Sequence, residues 1–443
     1  MAADIAARKH ALTESATKAL CELRRASRPA GAKTEDETPA VVLWVPGRIE
    51  FLGKHTDYAG GRSLLCAIER GICTAARPRD DALVRVHDAR IGETVECTLD
   101  ASFAPGARAW GVYPATVERR VARNFPHARV GADIAFHSDL PVAAGISSSS
   151  ALVVSIFLAL SAINRLAEHE SYHTHLRSVD DLAGYLGCVE NGFDFGELTG
   201  DAGVGTLSGC EDQTAMLCAR PDALIQYSFC PVRYEGVAPV PVEHRFVIVT
   251  SGVAAEKTAS AQEKYNLLAR RARAAAAAWR ASSGREDATL GDAVRAAERE
   301  TIRSAIERAT VTGFSSRELV DRFDQFHVES EVIVPRVADA LRRGNLLDVG
   351  ALVDESQSAA ERLLGNQIPE TVALARSARE LGAVAASAFG AGFGGSVWAL
   401  VADEGAADFL DRWRGSYLRA FPSHREAAQF FETRAGSAAA RLA

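Results

Sequence analysis

Short runs of β-forming residues, broken by Gly, Asp and Pro, occupy the first part of this chain, and longer helical patterns follow them. The β-type runs are residues 40–45, 63–68, 83–86, 94–99 and 132–137. Helical spacing of apolar residues then appears over 149–166 and again over 180–190. This order predicts an α+β fold in which a mixed sheet carries helices on one face.

The remaining patterns predict how the chain is divided. Residues 4–26 have helical spacing and precede a polar stretch, 27–37, which we interpret as a linker. A strand pattern follows at 245–250, and a long Ala-rich and Arg-rich helical region then extends to about residue 343. The last patterns are a helix at 369–381, a glycine-rich loop at 387–396 and a final strand at 396–401. We predict an N-terminal helix and linker (1–39) and two α+β domains (40–235 and 236–443).

Size and charge exclude several classes of protein. The chain has 443 residues, of which 47% are hydrophobic and 24% charged, so it is long enough to bury more than one core. Its net charge of -7 argues against a nucleic-acid partner, and it has no apolar run long enough to span a membrane. Its eight cysteines form no CxxC pair, which is typical of a reducing compartment. We therefore expect a cytoplasmic monomer.

Three segments carry chemistry, and the first, residues 46–58, packs polar side chains between glycines directly after a strand pattern. It reads Pro-Gly-Arg-Ile-Glu-Phe-Leu-Gly-Lys-His-Thr-Asp-Tyr. Carboxylate, imidazole and guanidinium groups match the hydroxyls of a sugar, so the segment can surround a polyhydroxylated ligand. The alternative is an ordinary solvated turn.

The second segment, residues 140–151, contains Gly145 and four consecutive serines and opens a long helix. The free N–H groups and positive dipole end of a helix start favour a phosphate, and serine hydroxyls can contact phosphate oxygens or Mg²⁺. The alternative is a helix start capped by serine.

The third segment, residues 387–396, reads Ser-Ala-Phe-Gly-Ala-Gly-Phe-Gly-Gly-Ser. Its glycines spell a dinucleotide fingerprint, but that fingerprint must follow a strand and open a helix. Here the pattern predicts a helix before the glycines and a strand after them. We interpret the glycines as allowing the backbone to approach another loop or a ligand.

Taken together, these three segments resemble the GHMP kinases, and the first resembles the galactokinase pattern Gly-Arg-x-Asn-x-x-Gly-Glu-His-Thr-Asp-Tyr. The chain matches that pattern from Gly47 to Tyr58 except at Glu50 and Lys54, and the resemblance runs from about residue 40 to 401. It implies a two-domain GHMP kinase-like fold with helices packed on mixed sheets. It also implies transfer of the γ-phosphoryl group of ATP to a sugar hydroxyl at the anomeric carbon, with Mg²⁺ as cofactor.

The resemblance also implies roles for individual residues. The family element Gly-x-x-Asp-Gln occurs at 209–213, which makes Asp212 the candidate catalytic base and Arg48 the cation that keeps it ionised. Implied sugar contacts are Glu50, Lys54, His55, Asp57, Gly209 and Tyr265. Implied nucleotide contacts are Gly145, Ser147, Ser148, Ser149, Ser150, Gly392 and Gly394. Implied magnesium ligands are Ser149 and Glu190.

Departures from the family pattern bear on the substrate. Lys54 replaces a glutamate that the family directs at the sugar, and Glu50 replaces an asparagine, while Ala143 and Ala144 replace glycines of the phosphate loop. If Lys54 faces the sugar, an acidic substrate such as a galacturonate-like sugar gains a charge-assisted contact. If Lys54 instead pairs with Glu50, the charge of the pocket is unchanged and galactose stays the first choice.

Two further hypotheses come from other classes of protein. Residues 169–173 read His-Glu-Ser-Tyr-His, a literal HExxH, which in a buried helix would indicate a zinc peptidase. A sugar sensor that keeps the kinase fold without turnover is the non-enzyme alternative. Release of ADP in the presence of sugars distinguishes the kinase from both.

Overall fold

The computed structural model describes residues 2–26, 38–102, 109–253 and 259–442. The predicted linker, 27–37, lies outside them. The strands are β1 (Val41–Leu52), β2 (Arg62–Pro78), β3 (Leu83–Asp88), β4 (Glu93–Thr98), β5 (Ala132–Ser138), β6 (Ala223–Ser228), β7 (Arg233–Pro239), β8 (His244–Thr250), β9 (Ala385–Phe389), β10 (Ser396–Ala402), β11 (Gln429–Thr433), β12 (Ala435–Gly436) and β13 (Ala440–Arg441).

The helices occupy most of the rest of the described chain. They are α1 (Ala2–Ala26), α2 (Val112–Asn124), α3 (Ser148–Ile163), α4 (Glu170–His175), α5 (Val179–Asn191), α6 (Glu211–Cys218), α7 (Ala259–Ser283), α8 (Leu290–Ala296), α9 (Arg299–Arg308), α10 (Ser316–His327), α11 (Val334–Arg342), α12 (Leu346–Ala359), α13 (Pro369–Glu380) and α14 (Ala406–Ala420). Short π-helical segments at Val328–Ile333 and Ala360–Leu364 follow α10 and α12. No helix in the described ranges is long and apolar enough to cross a membrane.

The larger sheet is built around the long strands β1 and β2. Its main order is β13-β1-β2-β5-β3-β4, with β6 and β12 also paired to β2 and β7 paired to β6. The pairing is antiparallel except between β3 and β5, so the sheet is mixed, as predicted. A second sheet, in the order β11-β8-β10-β9, is antiparallel throughout.

Every residue of β1 is buried, because helices cover both faces of the sheet. On one face, α3 packs its largely apolar surface against β1 and β2. On the other face, Leu12, Ala16 and Leu20 of α1 pack against Trp44 and its neighbours. The prediction of helices on one face was therefore wrong, because the helical spacing of α1 does not indicate which surface of the fold the helix packs against.

The sequence patterns located most of the central elements within a few residues. Two differences affect the site. β1 continues to Leu52, so the first half of the predicted polar loop is strand. The glycine-rich segment follows β9 and not a helix, so it is the turn of the β9–β10 hairpin. The small residues of β9 carry no alternating β pattern, and pairing with β10 makes them a strand.

The division into domains at residue 235 stays a prediction. β7 continues to Pro239, and the short C-terminal strands β12 and β13 pair with β2 and β1 of the larger sheet. The C-terminal end of the described chain therefore contributes to the sheet that carries the first polar segment.

Candidate active site

A cavity of ≈ 610 Å³ lies where the three predicted segments meet. Its wall is formed by β1 and the loop after it, the second segment (residues 140–151, here called the serine loop) that opens α3, the start of α6 and the turn of the β9–β10 hairpin. These elements are separated by up to about three hundred and forty residues in sequence, and the strand pairing of both sheets brings them together.

Arg48 and Asp212 form the ion pair at the centre of the cavity. Arg48 Nε donates to Asp212 Oδ1 at 2.7 Å, and Arg48 Nη1 donates to the carbonyl oxygen of Gly145 at 2.7 Å. Arg48 is buried, whereas 19% of the Asp212 side chain is exposed. Burial alone would lower the pKa of Arg48, but Asp212, Glu211 and Glu50 raise it, so the guanidinium stays charged.

Two β-bulges on β1 flank the polar positions of the strand. The register against β2 shifts between Pro46 and Arg48 and again between Glu50 and Leu52. Arg48 and Glu50 are two residues apart and point to the same face, and both line the cavity. Bulges commonly re-aim side chains beside active sites, and here they place two charged groups inside a buried strand.

The serine loop gives the cavity a helix start. Helix α3 begins at Ser148, and Ser147, Ser148 and Ser149 line the cavity. Ser147 occupies the N-cap in a left-handed conformation (φ 59) and makes no side-chain capping hydrogen bond. Ser150 does not line the cavity, but its Oγ donates to Asp212 Oδ2 at 3.1 Å. The geometry therefore favours the phosphate interpretation of this loop over ordinary capping by Ser147.

Three carboxyl groups besides Asp212 line the same part of the cavity: Glu50, Asp57 and Glu211. Burial raises the pKa of Glu50 to about 7, although Lys54 and Arg48 oppose the rise. Burial likewise raises the pKa of Asp57 to about 6, and it raises the pKa of Glu211 well above its ordinary range. Protons are therefore held here at pH values where exposed carboxyl groups are ionised.

Gly209 is required where Asp57 approaches α6. A Cβ at residue 209 would lie 2.0 Å from Asp57 Oδ2. The carboxylate of Asp57 accepts hydrogen bonds from the backbone N–H of Tyr58 at 2.8 Å and of Glu211 at 3.2 Å. The glycine thus lets Asp57 reach the N-terminus of the helix that carries Asp212.

His55 lines the cavity with both ring nitrogens engaged by the protein. Its Nε2 lies 3.0 Å from the carbonyl oxygen of Ala391, and its Nδ1 lies 2.8 Å from the Tyr58 hydroxyl. Burial, reinforced by Arg322, lowers the pKa of His55 to about 3, so the imidazole is neutral. Nε2 then donates to the carbonyl and Nδ1 accepts from the hydroxyl. Tyr265 stacks at a tilt on His55, with ring centroids 5.1 Å apart, and also lines the cavity.

Lys54 is turned away from the cavity. Its Nζ donates to Ser356 Oγ at 3.0 Å on α12, and its side chain is buried. Lys54 is not among the described residues that line the cavity, whereas Glu50 is. Lys54 lowers the pKa of Glu50, but its Nζ hydrogen bond goes to Ser356 and not to the Glu50 carboxylate, so the expected Glu50–Lys54 pair stays a prediction.

The glycine-rich turn reaches the cavity through different residues from those implied by the family pattern. Gly390 and Ala391 line it, and the backbone N–H of Gly390 donates to Glu50 Oε2 at 3.1 Å. Gly392 instead packs against Asn366, where a Cβ would lie 2.3 Å from a carbonyl oxygen. Neither Gly392 nor Gly394 belongs to the described lining, so their nucleotide role stays a prediction.

Glu190 lies near the end of α5, buried, and accepts a hydrogen bond from Gln213 Nε2 at 2.7 Å. The described lining of the cavity does not include it. Its role as a magnesium ligand also stays a prediction. The HExxH sequence lies at α4, where no residue is buried, and no group of three His, Cys, Asp or Glu side chains in the described residues is placed to hold a metal.

The sequence patterns missed the far end of the cavity. Asp88, Arg90, Trp110, Tyr113 and Phe136 line it. Trp110 and Phe136 meet edge to face, with ring centroids 6.3 Å apart. The signal in the sequence was Trp-Gly-Val-Tyr at residues 110–113, where α2 begins, which falls outside the three segments.

Comparisons with known proteins agree with this geometry. A galactokinase galactose-binding signature matches residues 32–78, and the N-terminal and C-terminal domains of the GHMP kinases match 113–192 and 337–415. The galactokinase of Streptomyces coelicolor is 29% identical over 371 residues, which cover 82% of this chain and 85% of that protein. The galactokinase of Actinobacillus pleuropneumoniae is 27% identical over 373 residues, with 82% and 86% covered.

The fold also has a solved counterpart. The structure of Lactococcus lactis galactokinase complexed with galactose matches with a TM-score of 0.73 at 24% identity, covering 91% of this chain and 95% of that one. This match confirms the predicted α+β architecture. The chain thus carries a galactokinase signature and both GHMP kinase domains, and it is galactokinase-like in sequence over most of its length.

Proposed function

We propose that this chain transfers the γ-phosphoryl group of ATP to the anomeric hydroxyl of galactose or a closely similar sugar. The observation that carries the proposal is the Arg48–Asp212 pair, because Arg48 lies in the segment that matches the galactose-binding signature and also binds Gly145 of the serine loop. GHMP kinases use ATP, so one end of the cavity must accept a triphosphate and the other a sugar.

Asp212 is the proposed base. The sugar hydroxyl oxygen attacks the γ-phosphorus, the bond from that phosphorus to the β,γ-bridging oxygen breaks, and the hydroxyl proton passes to the Asp212 carboxylate. The products are the sugar phosphate and ADP. Arg48 keeps Asp212 ionised and orients it through Nε, and its positive charge faces the negative charge that spreads over the transferring group.

The serine loop is the proposed phosphate site. Ser147, Ser148 and Ser149 present hydroxyls to the cavity at the positive end of α3, which is where an anion is stabilised. Mg²⁺, when bound, would neutralise phosphate charge. The Ser149 hydroxyl fits it, since magnesium prefers oxygen ligands and takes most of them from phosphates and water.

The aromatic end of the cavity is the proposed base site of the nucleotide. Trp110, Tyr113 and Phe136 provide apolar ring surface there, and Trp110 is held by a hydrogen bond from its Nε1 to Glu93 Oε2 at 3.0 Å. Flat aromatic surfaces favour stacking of a planar base.

Galactose is preferred here to a uronic acid. Acceptors for sugar hydroxyls are abundant, because Glu50, Asp57 and Glu211 line the cavity together with Asp212. The uronate hypothesis required Lys54 to face the sugar, and its amine instead contacts Ser356. A carboxylate on the substrate would meet several like charges, which is unfavourable.

The proposal is tested by following ADP release with a panel of sugars that includes galactose, glucose and galacturonate. Sugar-dependent release, greatest with galactose, is expected for a kinase. Binding of galactose without ADP release would select the sugar sensor instead. A preference for galacturonate would contradict the proposed substrate.

A further inference from the structure

We infer that Glu50 and Glu211 share a proton as an acid pair in the wall of the sugar end of the cavity, and that this pair helps to determine how tightly the sugar binds. The inference rests on the proposed function, because that function assigns this end of the cavity to the sugar. The family pattern has asparagine at position 50 and leaves position 211 open, so the pair belongs to this chain.

The contacts of Glu50 leave one oxygen without a donor. Glu50 Oε2 accepts from the backbone N–H of Gly390 at 3.1 Å, whereas Glu50 Oε1 is buried and has no hydrogen-bond donor among the described residues when both carboxyls are ionised. A buried acceptor left unpaired costs about 1–3 kcal/mol, so native structures rarely keep one.

The group next to Glu50 that can supply this donor is another carboxyl. Glu211 lines the cavity beside Glu50: its Oε2 accepts from Ser63 Oγ at 3.1 Å, and Ser63 lies on β2 two residues from Leu65, the strand partner of Glu50. Two ionised carboxylates in contact repel each other, as in other buried carboxyl dyads, and one proton between them turns repulsion into a hydrogen bond.

The surrounding charges indicate which carboxyl holds the proton. Glu50 faces two cations, Arg48 and Lys54, against one further carboxylate, Glu329 of the π-helical segment after α10. Glu211 faces Asp57 and Asp212 in addition to Glu50, and Arg48 is the main cation that opposes them. His55 is neutral. The proton therefore belongs mainly to Glu211, and the negative charge to Glu50.

The pair also connects the walls of the cavity. Glu50 lies on β1 and holds the turn of the β9–β10 hairpin through Gly390, while Glu211 begins α6, which carries Asp212. The shared proton is used in the hydrogen bond between the two carboxyls, so the pair offers acceptor oxygens to the sugar hydroxyls. It also removes one negative charge from the site and holds both carboxyls in place.

Infrared spectroscopy detects the proton without any substrate. Ordinary glutamates are ionised at pH 8, so a carbonyl stretch of protonated carboxyl groups at that pH reports acids that the fold keeps neutral. We expect such absorption in the wild type, a loss of part of it in Glu211→Gln, and a shift of that same part on adding galactose. Glu118→Gln is the matched control, since Glu118 is a buried acid outside the cavity lining. This substitution should remove a component of the carbonyl absorption that galactose does not shift.

Galactose affinity, measured by calorimetry without nucleotide, tests the consequence. Glu211→Gln keeps a donor and should retain the Kd within about threefold, whereas Glu211→Leu removes it and should raise the Kd at least about tenfold, with the KM for ATP little changed. No change of the infrared absorption in Glu211→Gln, or an unchanged Kd in Glu211→Leu, would overturn the inference. Galactose binding without ADP release would refute the proposed function alone.

Discussion

Arg48 and Asp212 are 164 residues apart in the chain, and their side chains meet at 2.7 Å in the wall of one cavity. A second nitrogen of Arg48 donates to the carbonyl oxygen of Gly145 in the serine loop. One side chain therefore fixes the position of the proposed base relative to the proposed phosphate site. This arrangement makes Arg48 more than a counter-ion.

Replacing Arg48 by lysine tests that positioning. Lysine keeps the charge, but a single ammonium cannot reproduce the fixed, divergent geometry with which Nε binds Asp212 and Nη1 binds Gly145. We expect kcat to fall at least about a hundredfold, with a smaller change in the Kd for galactose. Steady-state kinetics combined with calorimetry separates the two, and a kcat within about threefold of the wild type would contradict the positioning role.

Ser149→Ala tests the phosphate site against a purely structural role. The lost hydroxyl is expected to raise the KM for Mg·ATP and leave the Kd for galactose unchanged, because Ser149 lies on the serine loop and not at the sugar end. A capping residue would instead show its loss as about 0.5–2 kcal/mol of unfolding free energy. Urea unfolding of Ser149→Ala and wild type provides that comparison. A stability loss with normal use of ATP would support the structural role.

Lys54→Met tests which way the lysine faces. Because Nζ contacts Ser356 and not the cavity, we expect the ratio of specificity constants for galactose and galacturonate to stay within about twofold of the wild type. Stability should fall, since Glu50 then loses a nearby cation in a buried setting. A change of the ratio by about tenfold, or about 1.4 kcal/mol, would place Lys54 against the sugar.

Glu118 on α2 offers a test of pH dependence away from the site. Burial raises the pKa of Glu118 well above its ordinary value, although an interaction with the Cys97 side chain opposes the rise. The folded state thus binds the Glu118 proton more tightly than the unfolded state. The stability that this proton contributes is fully present below about pH 4.5 and is lost as the pH rises through the pKa of Glu118 in the folded state.

Glutamine does not ionise, so Glu118→Gln avoids this loss of stability with rising pH. Its unfolding free energy relative to the wild type should increase between pH 5 and pH 8, by at most about 1.4 kcal/mol per pH unit. Urea denaturation at both values measures it, and exposed Glu404→Gln is the control that should show no such trend. A constant difference between Glu118→Gln and wild type across this range would contradict the account.

The sequence was sufficient for those parts of the fold that depend on local pattern. Strands β2 to β5 and helices α3 and α5 follow from alternation and helical spacing, and the opening of a helix by the serine loop was visible in the order of the residues. The pairing of Arg48 with Asp212 came from resemblance to a family, because no local pattern relates residues so far apart.

What could not be predicted depends on distant packing. Lys54 had two possible orientations from the sequence, and the choice depends on Ser356, 302 residues further along the chain. Glu50 and Glu211 line one cavity because β1 and the start of α6 pack together, which no local pattern indicates. The strand before the glycine-rich turn was missed because Ala385–Phe389 consists mostly of small residues that become a strand by pairing with β10.

Galactose-dependent ADP release by wild type and Asp212→Asn tests the central claim most directly. The amide keeps the shape of the side chain but cannot accept the hydroxyl proton, so we expect kcat to fall by at least about two orders of magnitude while galactose still binds. Asp81→Asn, which alters an exposed aspartate paired with Arg79, should retain full activity. Near-normal turnover in Asp212→Asn would contradict the role of Asp212 as the base.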